Sequence, residues 1–94
     1  MALYLVRVEL FNANGDDYNE LHDQLEARGL YRKIRADGGG VYDMPSGTYF
    51  GESELSTISL QEWVSGVADP HSHPKAASVF VAQVGDWQSF LHRS

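Results

Sequence analysis

The sequence has no cysteine, which excludes disulfides, thiolate zinc sites and cysteine nucleophiles. It also has no long apolar run, since no segment approaches the roughly 20 apolar residues that cross a bilayer. Residues 1–7 lack a basic leader and carry an apolar run too short for a signal peptide. We therefore expect a cytoplasmic protein without a membrane partner.

Positive charge is scarce: seven Lys and Arg stand against thirteen Asp and Glu, and the formal net charge is −6. The summed negative field repels phosphate and argues against a general affinity for nucleic acid. The charges are unevenly distributed, however. Four of the seven basic residues lie within residues 28–35, and five acids lie within residues 16–26 just before them. The chain therefore has an acidic pole followed by a basic one.

Hydrophobic periodicity in these 94 residues predicts one domain, residues 1–94, that begins with a strand and a helix. Apolar residues alternate over residues 3–10, which is typical of a strand. Tyr18, Leu21 and Leu25 recur at helical spacing within residues 16–28. Asp17 with Glu20 three residues later predicts the start of this helix, and Gly29 its end.

The rest of the chain supplies three more strands and a second helix. Strands are predicted at residues 31–35, 48–50 and 78–84, and residues 41–44 form a short extra strand or extend a hairpin through a turn at 37–40. A second capping box, at residues 59–62, opens a helix to about Val67. Asp86 is expected to cap a short terminal helix over residues 87–92.

This order predicts an α+β fold, a ferredoxin-like β-α-β-β-α-β sandwich. Right-handed crossovers would place two helices on one face of a four-stranded antiparallel sheet, and a short C-terminal helix would follow. The other face of the sheet would then be bare unless a partner or the tail covers it.

Several short segments together resemble a known family of small bacterial proteins. They are Val6-Arg7-Val8-Glu9-Leu10, Asp17-Tyr18 with Leu21-His22, Gly29-Leu30 before the basic strand, Tyr42-Asp43-Met44-Pro45-Ser46-Gly47-Thr48-Tyr49, and Val84-Gly85-Asp86-Trp87 with Phe90. The family is that of GhoS, the antitoxin of a type V toxin–antitoxin system. The resemblance covers most of the chain.

The resemblance implies a ferredoxin-like fold related to the CRISPR-associated adaptation nucleases. It also implies a sequence-selective endoribonuclease that cuts the messenger of a membrane toxin. Those nucleases place an aspartate at the end of the first strand, paired across a dimer to hold a metal. Here the region reads Glu9-Leu10-Phe11-Asn12, with no aspartate before Asp16. A metal-free route through basic residues and a histidine is the alternative, and no metal or cofactor is expected.

The basic segment is the candidate RNA-binding surface. Guanidinium groups bind phosphate bidentately, and an aromatic ring can stack on an unpaired base. The residues expected to contact single-stranded RNA are Arg28, Tyr31, Arg32, Lys33 and Arg35. The competing interpretation is an edge strand whose charges protect it against aggregation.

Arg7, Glu9 and His22 are the candidate catalytic residues. Arg7 and Glu9 share one face of the first strand, where a cross-strand ion-pair network is the alternative interpretation. His22 lies one turn from Tyr18 and would act as a general acid or base, or else pack at the core boundary. His71 and His73 resemble a metal-ligand pair, but only Asp69 lies near them in sequence, so a solvated loop is the preferred interpretation.

Two functions from different classes follow. The first is an antitoxin-like RNA-binding protein with endoribonuclease activity on single-stranded RNA. The second is a non-catalytic protein–protein interaction module. It would use the acidic helix, through Asp16, Asp17 and Glu20, or a sheet edge that pairs with a partner or a second copy. The sequence leaves open whether the protein is a monomer or a homodimer.

Overall fold

The computed structural model describes residues 1–36 and 38–94. Its strands are β1 (Ala2–Glu9), β2 (Leu30–Tyr31), β3 (Lys33–Arg35), β4 (Val41–Asp43), β5 (Thr48–Ser53) and β6 (Ser78–Gln83). Its helices are α1 (Gly15–Glu26) and α2 (Thr57–Ala68), and a 3-10 turn at Asp69–His71 follows α2. Within the described ranges, no helix is long and apolar enough to cross a membrane.

Four strands form the main sheet in the order β2-β5-β1-β6, and every neighbouring pair is antiparallel. Val6 of β1 lies opposite Tyr49 of β5 on one side and Val81 of β6 on the other. The protein is thus an α+β structure with a four-stranded antiparallel sheet and two helices. This architecture is compatible with the ferredoxin-like fold expected from the sequence.

The core lies against one side of β1. Its residues alternate as predicted: Tyr4, Val6 and Val8 are buried, whereas Arg7 and Glu9 point to the exposed side. The buried side packs in one cluster with residues of both helices, namely Leu21 and Leu25 of α1 and Leu60, Val64 and Ala68 of α2. Burying each leucine or valine side chain of this cluster contributes about 1.5–3 kcal/mol.

Helix α1 begins two residues earlier than Asp17, because Asn14 is its N-cap. The Asn14 side-chain oxygen accepts from the Asp17 amide at 3.0 Å, and the Asp17 carboxylate accepts from the Asn14 amide at 3.1 Å. The capping box predicted at Asp17 and Glu20 is therefore wrong in register. The observed box joins Asn14 to Asp17, the third residue of the helix. Likewise, Ser56 caps α2 through the Ser59 amide at 3.2 Å, so this helix starts before the predicted residues 59–62.

The predicted strand at residues 31–35 is broken at Arg32. Its first part, β2, pairs with β5 in the main sheet, whereas β3 pairs with β4 in a separate two-stranded hairpin. The Met44 amide donates to the Arg32 carbonyl at 2.7 Å across the break. The predicted turn at 37–40 includes Asp37, which lies outside the described residues. Gly39 and Gly40 of that turn have φ of +89° and +85°, which favours glycine.

The predicted terminal helix is wrong: residues 87–92, all of them described, contain no helix. This segment instead runs beside β4, where the Asp43 amide donates to the His92 carbonyl at 3.0 Å and the Ser94 amide to the Val41 carbonyl at 2.8 Å. An isolated helix this short is marginal in water, and the end of the segment pairs with β4 instead.

Gly51 marks a close approach between β5 and the chain entering β2. A methyl group there would overlap the Gly29 carbonyl oxygen and lie 3.2 Å from the Leu30 Cα, whereas Gly66 in α2 has open space around it. We expect Gly51→Ala to lower the free energy of unfolding by about 1–3 kcal/mol. The same change at Gly66 should raise it by about 0.5–1 kcal/mol. Urea denaturation measures both, and equal effects at the two positions would contradict this packing.

Candidate nucleic-acid site

A cleft of about 380 Å³ lies between α1 and the β3–β4 hairpin. Helix α1 contributes His22, the break between β2 and β3 contributes Arg32, and the hairpin contributes Lys33 and Asp43. The turn at residues 44–47 completes the wall. The fold thus brings one candidate catalytic residue together with two of the candidate RNA-binding residues.

His22 of this cleft contacts a buried tyrosine. Its Nδ1 lies 2.7 Å from the hydroxyl of Tyr49, a residue of β5 that is 0% exposed. Burial raises the pKa of Tyr49 to about 12, so the hydroxyl keeps its proton at neutral pH. When Nδ1 carries the ring hydrogen of neutral His22 and donates it to that hydroxyl, the lone pair of Nε2 remains free to accept a proton.

Electrostatics favour the neutral form of His22. Burial of the ring lowers the pKa of His22, and the positive charge of Arg32 lowers it further, against smaller opposing effects of Glu26 and Asp23. A histidine that is neutral at physiological pH can accept a proton. His22 is therefore suited to act as a general base.

The two cationic residues in the wall each have a carboxylate partner. Lys33 Nζ lies 2.7 Å from Asp43 Oδ1 and also contacts the Ser94 hydroxyl. Hydrogen bonds from Lys33 and Ser94 lower the pKa of the Asp43 carboxyl. Arg32 Nε is 3.9 Å from a Glu26 oxygen, and both side chains are about half exposed. Exposed pairs of this kind are weak, so a phosphate can compete for either cation.

The other predicted RNA-binding residues do not line this cleft. The Arg28 guanidinium lies 4.8 Å from the centre of the Trp63 ring, a cation–π contact. Tyr31 is half exposed on β2, and Arg35 lies opposite Val41 in the hairpin. The break at Arg32 therefore divides the basic segment between two sheets.

Arg7 and Glu9 lie on the side of β1 that faces away from the core. They line a different cleft, of about 330 Å³, together with exposed Phe80. Among the described residues, neither side chain forms an ion pair within 4 Å. The structure therefore does not bring Arg7 or Glu9 to His22.

The acidic side chains at the start of α1 largely contact the chain itself. His71 Nδ1 lies 3.0 Å from Asp17 Oδ1, and His71 Nε2 lies 3.4 Å from Glu20 Oε2. The hydrogen bond with His71 lowers the pKa of Asp17. Only Asp16 of the three predicted interaction residues has no such contact among the described residues. Within residues 1–36 and 38–94, no group of three or more His, Asp or Glu is placed to hold a metal ion.

Two parts of the site escaped the sequence reasoning: Tyr49 as the partner of His22, and Asp43 as the partner of Lys33. The His22–Tyr49 contact joins residues 27 positions apart, so no local pattern could indicate it. The sequence placed Tyr49 only within the strand predicted at residues 48–50.

A scan of the chain against models of protein families finds no match, and a search of the curated proteins finds no similar sequence. The chemistry of the cleft is therefore the basis for the functional proposal.

The environment of His22 predicts an ordering of its pKa among variants. In the native protein the pKa should lie below the ordinary histidine value. Arg32→Gln should raise it only part of the way, because burial is the larger cause and remains. Arg35→Gln is the matched control and should leave it unchanged. A pH titration of the His22 ring signals by NMR measures all three, and a native value at or above the ordinary one would contradict the described environment.

Proposed function

We propose that this chain is an antitoxin-like protein that binds single-stranded RNA in the cleft between α1 and the β3–β4 hairpin and cleaves it there. The observation that carries the proposal is His22, held by Tyr49 and favoured in its neutral form, in one cleft with Arg32 and Lys33. A general base beside two cations is what metal-free cleavage of RNA requires.

The proposed reaction is attack by a ribose 2′-hydroxyl on the adjacent phosphorus. Nε2 of neutral His22 takes the hydroxyl proton, the new O–P bond forms, and the bond from phosphorus to the 5′-oxygen breaks. Arg32 stabilises the negative charge that develops on the phosphoryl oxygens. Lys33 contacts the phosphate, and water supplies the proton to the departing 5′-oxygen. The products are a 2′,3′-cyclic phosphate and a 5′-hydroxyl, and no metal takes part.

A ferredoxin-like sandwich belongs to the same proposal. It is supported by the strand order β2-β5-β1-β6, in which α1 and α2 each connect strands that are not neighbours. It is also supported by the buried residues of both helices, which share one cluster with one side of β1. The resemblance to the GhoS family supports the antitoxin role, messenger RNA as the substrate and the bacterial cytoplasm as the location.

A non-catalytic interaction module is the second candidate, and β6 favours its sheet-edge form. β6 is an outer strand of the main sheet, its six residues carry no charge, and Phe80 is 64% exposed. An uncharged edge can pair with an extended segment of a partner or of a second copy. The acidic helix is less suited, since Asp17 and Glu20 already contact His71.

RNA binding in the cleft predicts a defined salt dependence. Each phosphate contact to a single strand contributes about 0.7 to the slope of log affinity against log salt. The Arg32→Gln/Lys33→Gln double variant should therefore lower the slope by about 1.4. Binding of a labelled single-stranded RNA, measured over a salt series, tests this.

The matched control for this titration is Arg28→Gln/Arg35→Gln, which also removes two charges but leaves the cleft residues in place. It should keep nearly the native slope. Equal slopes for the two double variants would place any RNA elsewhere on the protein, and no binding by the native protein at low salt would overturn RNA binding altogether.

Cleavage is predicted to depend on His22 and not on metal. His22→Ala should slow cleavage by about 10²–10⁴-fold, the usual contribution of a general base, while RNA binding persists. His73→Ala, which removes an exposed histidine outside the cleft, should have no effect. The native rate should rise with pH through the lowered pKa of His22, resist chelators and vanish when the ribose lacks its 2′-hydroxyl. Chelator-sensitive cleavage that survives His22→Ala would contradict this route.

A further inference from the structure

We infer that residues 84–94, here called the strap, form part of the RNA site because they fasten the hairpin that carries Lys33, with Trp87 as the positioning residue. The inference rests on the proposed function for one step only, the contact between Lys33 and phosphate. The fastening itself is a property of the fold.

The strap forms backbone hydrogen bonds with β1 at its start and with β4 at its end. At its start, the Val84 amide donates to the Leu3 carbonyl of β1 at 2.8 Å. At its other end, the strap lies along β4, with a bridge between Tyr42 and Arg93. The Asp43–His92 and Ser94–Val41 backbone bonds described above complete this attachment. The strap therefore connects the central strand of the main sheet to the separate hairpin.

Trp87 provides the side-chain contact between these two attachments. Its ring packs edge-on against Phe50 of β5, with centroids 5.4 Å apart. An apolar cavity of about 180 Å³ beside it is shared by Phe50 of the main sheet and by Ile34 and Met44 of the hairpin segment. Trp87 thus packs where the hairpin approaches the exposed side of the main sheet.

The strap also reaches Lys33 directly. The Ser94 hydroxyl contacts the Lys33 ammonium, which is paired with Asp43. Met44, which faces the cavity beside Trp87, also lines the RNA cleft. Loss of the strap would therefore free the wall that carries Lys33 and Asp43, while His22 and Tyr49, held by α1 and β5, would remain in place.

Three variants test the strap. Trp87→Ala removes the indole, Trp87→Phe keeps a ring against Phe50, and Phe90→Ala is the matched control. Phe90 is an aromatic residue of the same segment but is 90% exposed. We expect the amide hydrogen exchange of Asp43, whose partner is the His92 carbonyl, to accelerate at least tenfold in Trp87→Ala. Trp87→Phe should restore most of the protection, and Phe90→Ala should match the native protein.

The RNA readout is the salt slope of binding. Trp87→Ala should lower the slope by about 0.7, as Lys33→Gln should, and the two changes together should lower it no further. A purely structural effect on the sheet would not mimic loss of one charge in this way.

The outcomes are distinguishable. Unchanged exchange of the Asp43 amide in Trp87→Ala would overturn the inference, whatever happens with RNA. Faster exchange with a native salt slope would overturn the positioning of Lys33. If the native protein binds no RNA, the proposed function and the Lys33 step fail together, and the exchange data alone decide whether Trp87 fastens the hairpin.

Discussion

The central position of β1 is the constraint on which the rest of the structure depends. β1 is paired along most of its length with β5 on one side and β6 on the other. A strand paired on both sides cannot shift by one residue without moving every core side chain to the opposite face. The register therefore fixes Tyr4, Val6 and Val8 in the core and leaves Arg7 and Glu9 on the opposite side. It also fixes β5, and with it the buried hydroxyl beside His22.

The candidate site depends on this rigid frame and on a second, less extensive one. His22 and Tyr49 come from α1 and β5, whose apolar residues lie in the core. Arg32, Lys33 and Asp43 come from the chain that leaves the main sheet after β2. The side of the cleft with His22 is thus held in place by the buried core. The side with Lys33 and Asp43 is held only by a small hairpin and its neighbouring segment. Catalytic geometry benefits from rigid support, and phosphate contacts tolerate more freedom.

The sequence predicted the elements that have strong local signals. The sequence predicted the alternation in β1 and the apolar stripe of α1 because one face of each is buried. It predicted β5 and β6 from their β-branched and aromatic residues. The break at Arg32 could not be predicted, because residues 31–35 contain no glycine or proline that would mark it. The conformation of residues 87–92 could not be predicted either. Asp86 suggested a helix cap, whereas the end of the chain pairs with β4, which is distant in sequence. His22 was identified as a candidate from its residue type, whereas its partner Tyr49 depends on the tertiary fold.

The unequal lengths of the outer strands of the main sheet have a consequence for assembly. β2 has two residues, whereas β6 has six, none of them charged. Sheet extension needs a row of free backbone groups, and among the described strands of the main sheet only β6 offers a long free edge. Two copies that pair through β6 each use up this edge of their main sheet. Pairing through β6 would therefore close at two copies around a twofold axis, and the main sheets would not extend into a fibre.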